Sequence, residues 1–291
     1  MIIDFHTHLF PPDIREGREK FFDREPDFQS IYSHRGSKLA GVEELIGNMD
    51  EQGVDKSVVF GFPWRSPGHF KINNDYIIEA VERYPNRLIG FCTFYLPAKG
   101  VETELERCLN FGLSGVGELA FYSSALGEDA VHALRPIAEI ALSFDVPVLL
   151  HTNEPIGHIY PGKAPMTVKD IYQLVQAFPR NKIVLAHWGG GMLFYYLMKK
   201  EVKSVLANTW FDTAASPYLY DSRMYALAAE IVGLQKILFG SDFPLLKPSR
   251  YFKEMKEALL PSDTIAKICG ENAASLLKRK ETEKRRNGEM Q

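Results

Sequence analysis

Ile2-Ile3-Asp4-Phe5-His6-Thr7-His8 begins with two apolar residues and ends with two histidines one position apart. Read as a strand, this stretch turns successive side chains to opposite faces, so His6 and His8 share a face and can grip one metal ion. Imidazole is the commonest protein metal ligand and suits zinc, iron and nickel. Chance alone gives roughly 0.2 such pairs for this histidine content. The pair therefore carries weight only if the ends of other strands agree with it.

Working outward, short apolar runs recur at 56–62, 88–95, 113–121, 146–152, 182–188, 207–213 and 236–242. With 2–9 they make eight predicted strands. Amphipathic stretches lie between them. Val42, Leu45, Ile46 and Met49 fall on one helix face, and Ile77, Ile78, Ala80 and Val81 do the same in the next stretch. Further faces follow at Leu105-Cys108-Leu109, Ile137-Ile140-Ala141 and Ile171-Leu174-Val175. Eight strands alternating with helices predict an α/β fold, a single (β/α)8 TIM barrel. A doubly wound open sheet would want a glycine-rich phosphate turn after its first strand, and here that place holds His6-Thr7-His8-Leu9-Phe10-Pro11-Pro12. Residues 11–41 interrupt the rhythm as an insertion after the first strand, rich in charge and aromatics. Their position predicts a lid or substrate wall.

The composition fits one large globular domain: 291 residues, 45% hydrophobic, 24% charged, formal net charge −3. That charge gives no reason to expect nucleic acid or a membrane surface, and no apolar run is long enough to span a bilayer. Cys92, Cys108 and Cys269 follow no metal-ligand spacing and read as buried thiols of a reducing compartment. With no signal-peptide pattern at the N-terminus, the expectation is a cytoplasmic protein. Residues 1–277 are expected to form the barrel and 278–291 a charged, solvated tail.

The polar residues of interest cluster at predicted strand ends. Strand one ends in His6 and His8, strand four in Glu118, strand five in His151, strand six in His187 and strand eight in Asp242. In a barrel these ends meet at one mouth, where active sites lie. A single histidine after an apolar run is commonly a hydrogen-bonded core residue, and a strand-end carboxylate is commonly a helix cap. Six such residues at five matching ends argue for a metal centre.

At this point the chain resembles the amidohydrolase superfamily, most closely the amidohydrolase-related branch. That branch includes TIM-barrel hydrolases and the aminocarboxymuconate-semialdehyde and resorcylate-type decarboxylases. The resemblance covers about residues 1–277. It rests on Asp4-Phe5-His6-Thr7-His8, His151, Ala186-His187-Trp188-Gly189-Gly190-Gly191, Gly240-Ser241-Asp242-Phe243-Pro244 and Gly270-Glu271-Asn272-Ala273-Ala274-Ser275-Leu276-Leu277. It implies that His6, His8, His151 and Asp242 hold a first divalent metal. It implies that His187 holds a second metal, or acts as a catalytic base in one-metal decarboxylases. Many members carry a carbamylated lysine on strand four. Here Glu118 stands in its place, as in the TatD-like nucleases and the phosphotriesterase-related members with a bridging glutamate.

The chemistry expected from such a centre is activation of water, with Asp242 moving the proton and His187 supporting a second metal or the developing oxyanion. Zinc is the first expectation, manganese or iron the alternatives, with one or two ions per chain. Arg65 is a candidate carboxylate clamp, Trp188 a stacking surface and Asn153 a polar substrate contact; His158, His34 and Arg35 are weaker candidates. The leading expectation is a metal-dependent hydrolase of a small cyclic or acyl substrate, because Glu118 can bridge two metals. The alternative is a non-oxidative decarboxylase of a small aromatic carboxylic acid on the same scaffold. A catalytically inert metal-binding barrel and a TatD-like nuclease come after these; the segments near the strand ends carry no clustered Lys/Arg for nucleic acid. A small molecule is the expected partner, and self-association is left open.

Overall fold

The computed structural model describes residues 1–123 and 126–278; the charged tail from residue 279 onward lies outside the described residues. Eight strands follow in chain order: β1 (Ile3–His8), β2 (Lys56–Phe60), β3 (Leu88–Gly90), β4 (Val116–Leu119), β5 (Val148–Leu150), β6 (Ile183–Leu185), β7 (Thr209–Asp212) and β8 (Ile237–Leu238). All neighbouring pairs are parallel, in the orders β1-β2-β3 and β4-β5-β6-β7-β8. The two sheets meet at two seams. A bridge between Cys92 and Val116 joins β3 to β4, and one between Thr7 and Phe243 joins the end of β8 to β1. Backbone bonds from Phe5 N–H to Phe239 O (2.7 Å) and from Gly117 N–H to Cys92 O (2.8 Å) reinforce these seams. The architecture is the expected TIM barrel.

Each predicted strand exists, but most are shorter than the apolar run that signalled them. After β8, for example, Asp242 N–H donates to His6 O at 2.9 Å, so the chain leaves the ladder and crosses the end of β1. A Cβ on Gly240 would sit 2.7 Å from the Cβ of His6, so glycine is required for that crossing. The register of β1 on β2 shifts between Asp4 and Thr7. This bulge lets Phe5 pack edge-on against Phe91 inside the barrel while His6 and His8 both pack against Phe60.

The predicted helix faces are buried as expected. Val42, Leu45 and Met49 lie on helix Val42–Gln52, and Ile77, Ile78 and Ala80 on helix Pro67–Arg83. Ile171, Leu174 and Val175 do the same on helix Val168–Ala177. Residues 11–41 are not a structureless loop. They form helix Pro12–Glu16, a 3-10 segment Arg18–Arg24 and helix Pro26–Tyr32. Both α-helices carry proline in their first turn, where its missing N–H costs nothing. Phe28 and Tyr32 from this insertion pack on Phe10, Phe62 and Trp64, which seats it beside the mouth. No helix among the described residues is long and apolar enough to cross a membrane.

Candidate active site

His6, His8, Glu118, His151, His187 and Asp242 converge at the C-terminal end of the barrel. Their ligand atoms form three overlapping clusters: His6-His8-Glu118, His6-His187-Asp242 and Glu118-His151-His187, each with all atoms within 4.8 Å. Glu118 lies between two imidazole pairs. Its Oε2 is 3.7 Å from both His6 Nε2 and His8 Nε2, and its Oε1 is 3.0 Å from His151 Nδ1 and 3.5 Å from His187 Nε2. Asp242 Oδ1 lies 3.6 Å from His6 Nε2 and 3.5 Å from His8 Nε2. His151 was expected to join His6 and His8; its nearest donors are Glu118 and His187 instead.

The outward ring nitrogens decide what the inward ones can do. His6 Nδ1 faces Asp212 Oδ2 at 2.8 Å, His8 Nδ1 faces Gly61 O at 3.1 Å, His151 Nε2 faces Gly162 O at 3.1 Å and His187 Nδ1 faces Ala214 O at 3.0 Å. Carbonyl and carboxylate oxygens only accept, so each outward nitrogen carries the hydrogen. Each neutral ring then turns a lone pair inward. His6 Nε2 and His8 Nε2 are 3.3 Å apart, two lone pairs facing each other in a buried site. That arrangement calls for a cation or a proton between them. Outward tethers of this kind fix ring orientation and tautomer in metal-ligating histidines. The donor set therefore fits a divalent metal ion.

In the metal-free protein, protons stand in for that ion. Burial opposes charge on His6, but Glu118, Asp212 and Asp242 outweigh it and raise the ring to about 10. Burial likewise opposes charge on His187, yet Glu118 and Asp242 raise it to about 9. Burial would lift Asp242, but His8, His6 and His187 bring it down to about 2. The same contest holds Glu118 well below the usual carboxylate range, with His6 and His151 prevailing over burial.

Two buried carboxylates escaped the sequence reading. Asp212 ends β7; its Oδ2 holds His6, and its Oδ1 accepts from the backbone N–H of His187 (2.9 Å) and Ala214 (3.0 Å). One side chain thus ties the donors of β1 to the end of β6. The apolar run through Phe211 pointed to it, since Asp212 closes that run as Asp242 closes the last. Asp4 accepts from the N–H of Ser241 at 2.8 Å and of His6 at 3.2 Å, joining β1 to the segment after β8. Burial raises its carboxyl to about 7, despite these hydrogen bonds.

His187 enters the site through an unusual turn. His187, Trp188, Gly189, Gly190 and Gly191 all have positive φ, at 55°, 59°, 67°, 57° and 85°. Left-handed backbone strains residues that carry a Cβ, and three glycines relieve most of that strain here. Glycine is also needed for space: a Cβ on Gly190 would lie 2.4 Å from Asn153 O.

The three expected substrate contacts are engaged within the protein. Trp188 is fully buried, donates its indole N–H to Ser216 Oγ at 2.9 Å and packs on Tyr225, so its faces are not available for stacking. Asn153 is buried and fastens its own loop, donating to Ala164 O and accepting from Ala164 N–H. Arg65 donates to Asp27 Oδ2 through Nε (3.0 Å) and Nη2 (2.7 Å), and to Ser123 Oγ at 3.0 Å, while lying over the Tyr95 ring. It pins the insertion to the loop after β4, which consumes the fork expected to grip a substrate carboxylate. His34, Arg35 and His158 are exposed. The mouth is walled by aromatic rings: Phe62 stacks on Tyr122 (5.9 Å, 13°), Tyr122 packs on His151 (5.0 Å), and Tyr32 meets the edge of Phe62.

A parallel barrel with this polar cluster at its C-terminal mouth defines the class of metal-dependent barrel proteins. The amidohydrolase family profile matches residues 3–279, and the chain belongs to that family. Solved structures share the fold at low sequence identity. The 5-carboxyvanillate decarboxylase of Novosphingobium aromaticivorans, in complex with manganese and 4-hydroxy-3-methoxy-5-nitrobenzoic acid, is 15% identical, with 96% of each chain covered and a TM-score of 0.74. The 5-carboxyvanillate decarboxylase of Sphingomonas paucimobilis is 16% identical, over 95% of this chain and 98% of that one, with a TM-score of 0.70. A dihydroxybenzoic acid decarboxylase of Polaromonas sp., with bound manganese and the inhibitor 2-nitroresorcinol, is 17% identical, over 96% and 98%, with a TM-score of 0.67.

Proposed function

We propose that this chain is a metal-dependent carboxy-lyase acting on a small aromatic carboxylic acid. The observation that carries the reading is an aromatic wall, Tyr32, Phe62 and Tyr122, beside a buried cluster of four imidazoles and two carboxylates. The fold neighbours that act on aromatic acids, two of them with manganese, support it and shift weight from the hydrolase expected from sequence. His6, His8, Glu118, His151 and Asp242 would hold the metal, with manganese or zinc as candidates, and His187 is left to carry a proton. When bound, the ion supplies a Lewis-acidic anchor for a substrate oxygen.

The chain's own residues account for the rest. Tyr122, backed by the buried ring of Phe62, gives the mouth an apolar wall beside His151. The buried setting removes water from the substrate carboxylate, which favours its departure as neutral carbon dioxide. The bond between ring and carboxyl carbon breaks, its electron pair stays on the ring carbon, and the proton on His187 Nε2 replaces the carboxyl group. Asp212 keeps His6 in one tautomer throughout.

Hydrolysis is the second reading, favoured by the position of Glu118 between the His6–His8 and His151–His187 pairs, where a carboxylate can bridge two ions. Manganese-loaded protein should be assayed for carbon dioxide release from hydroxylated benzoic acids, beside a panel of lactones, amides and phosphoesters. Carbon dioxide release supports the carboxy-lyase. Turnover of the second panel alone, with two metal equivalents falling to one in Glu118→Gln, would replace it with the hydrolase.

A further inference from the structure

Two phenols stand on either side of Phe62 at the mouth, and neither has a hydroxyl partner among the described residues. Tyr32 ends the second helix of the insertion and meets the edge of Phe62 at 5.9 Å; Tyr122 follows β4, stacks on Phe62 and packs on His151. Through its contact with His151, Tyr122 borders the donor cluster, and Tyr32 joins it through the shared contact with Phe62. One clamp holds both. Asp27, on the helix of Tyr32, accepts from Arg65 and from Ser123 Oγ, and Ser123 is the residue after Tyr122. The network around Arg65 thereby fixes the separation of two side chains from different loops.

We propose that Tyr32 and Tyr122 are paired positioning residues that donate phenol hydrogen bonds to an oxygen on the substrate ring, with the Asp27–Arg65–Ser123 clamp setting their spacing. The proposal rests on the reading above only in taking the substrate to be a planar, oxygen-bearing ring. A neutral phenol carries one O–H that can be donated to such an oxygen. Phe62 is buried and backs Tyr122, and the two hydroxyls select where the substrate oxygen lies.

The test compares 4-nitrophenol with 4-nitrotoluene, a probe pair differing only in hydroxyl against methyl, titrated into manganese-loaded wild type, Tyr32→Phe, Tyr122→Phe and the double variant. Each single variant should lose about 2- to 10-fold in affinity for 4-nitrophenol, the worth of one hydrogen bond, with 4-nitrotoluene binding unchanged. Metal content should equal that of wild type in every variant, because neither phenol is needed to hold the ion. Unchanged 4-nitrophenol affinity, equal losses for both probes, or no binding of 4-nitrophenol to wild type would each overturn the proposal. Selective loss with no carbon dioxide release from any acid would retain the phenol pair and remove only the carboxy-lyase reading.

Discussion

Asp212→Asn isolates how the donor set is held. The carboxylate accepts on both oxygens: from His6 Nδ1 on Oδ2, and from the N–H groups of His187 and Ala214 on Oδ1. An amide offers only one oxygen. If that oxygen keeps the two backbone N–H groups, the NH2 faces His6 Nδ1. The ring must then move its hydrogen to Nε2, where a metal needs the lone pair. If the oxygen keeps His6, the NH2 is set against two N–H donors, and leaving such buried groups unsatisfied costs about 1–3 kcal/mol. Losing a partner that orients a metal-binding imidazole typically costs 10- to 100-fold in metal affinity, or about 1.4–2.7 kcal/mol. We expect Asp212→Asn to fold, to lose about that much affinity for manganese or zinc in competition with a chromophoric chelator, and to show His6 without its Nδ1 proton in nitrogen–proton correlation spectra. A variant with wild-type affinity and His6 still protonated at Nδ1 would refute the reasoning.

The remaining predictions concern protons, backbone and the insertion. Folding raises His6 from 6.5 to about 10 and His187 from 6.5 to about 9, so their contribution to stability is full below 6.5 and lost as pH rises through the folded values. The melting temperature of metal-free protein should therefore fall across that window while manganese affinity rises, because the metal must displace the proton on His6; flat profiles in both would contradict the assignment. Gly190→Ala places a Cβ 2.4 Å from Asn153 O in left-handed backbone. It should cost more than about 2 kcal/mol by denaturant titration, and a change below about 0.5 kcal/mol would show that the turn yields easily. Arg65→Ala strips buried Asp27 of its bidentate partner and should destabilise by about 1–3 kcal/mol, with earlier proteolysis within residues 11–41; wild-type stability and an unchanged cleavage pattern would sever the link between Arg65 and the insertion.

How much of this was legible in the chain follows from which signals are local. The spacing of His6 and His8 and the residues closing the apolar runs before Glu118, His151, His187 and Asp242 were readable, because a strand end in a parallel barrel fixes its own location. Asp212 obeys the same rule but sits in a motif of no special composition, and its value comes from reaching His6, 206 residues away in sequence. The insertion gave little helical signal because its helices are short: Phe28 and Tyr32 pair at helical spacing, but their other ring partners include Phe10, Phe62 and Trp64 outside it. Pro12 and Pro26 were the local signs of helix starts. Arg65, Trp188 and Asn153 follow strand ends in sequence, but sequence position does not say where a side chain points. Asp27, Ser216 and Ala164, their actual partners, come from distant or unremarkable segments.

The most direct test of the account is the metal content of protein purified without chelator and then equilibrated with manganese or zinc, for wild type and for His6→Ala/His8→Ala. The inward lone pairs of His6 and His8, 3.3 Å apart, predict at least about one tightly held divalent ion per wild-type chain and its loss from the double variant. A wild-type protein that holds no metal, or a double variant that keeps the full complement, would contradict the metal centre itself.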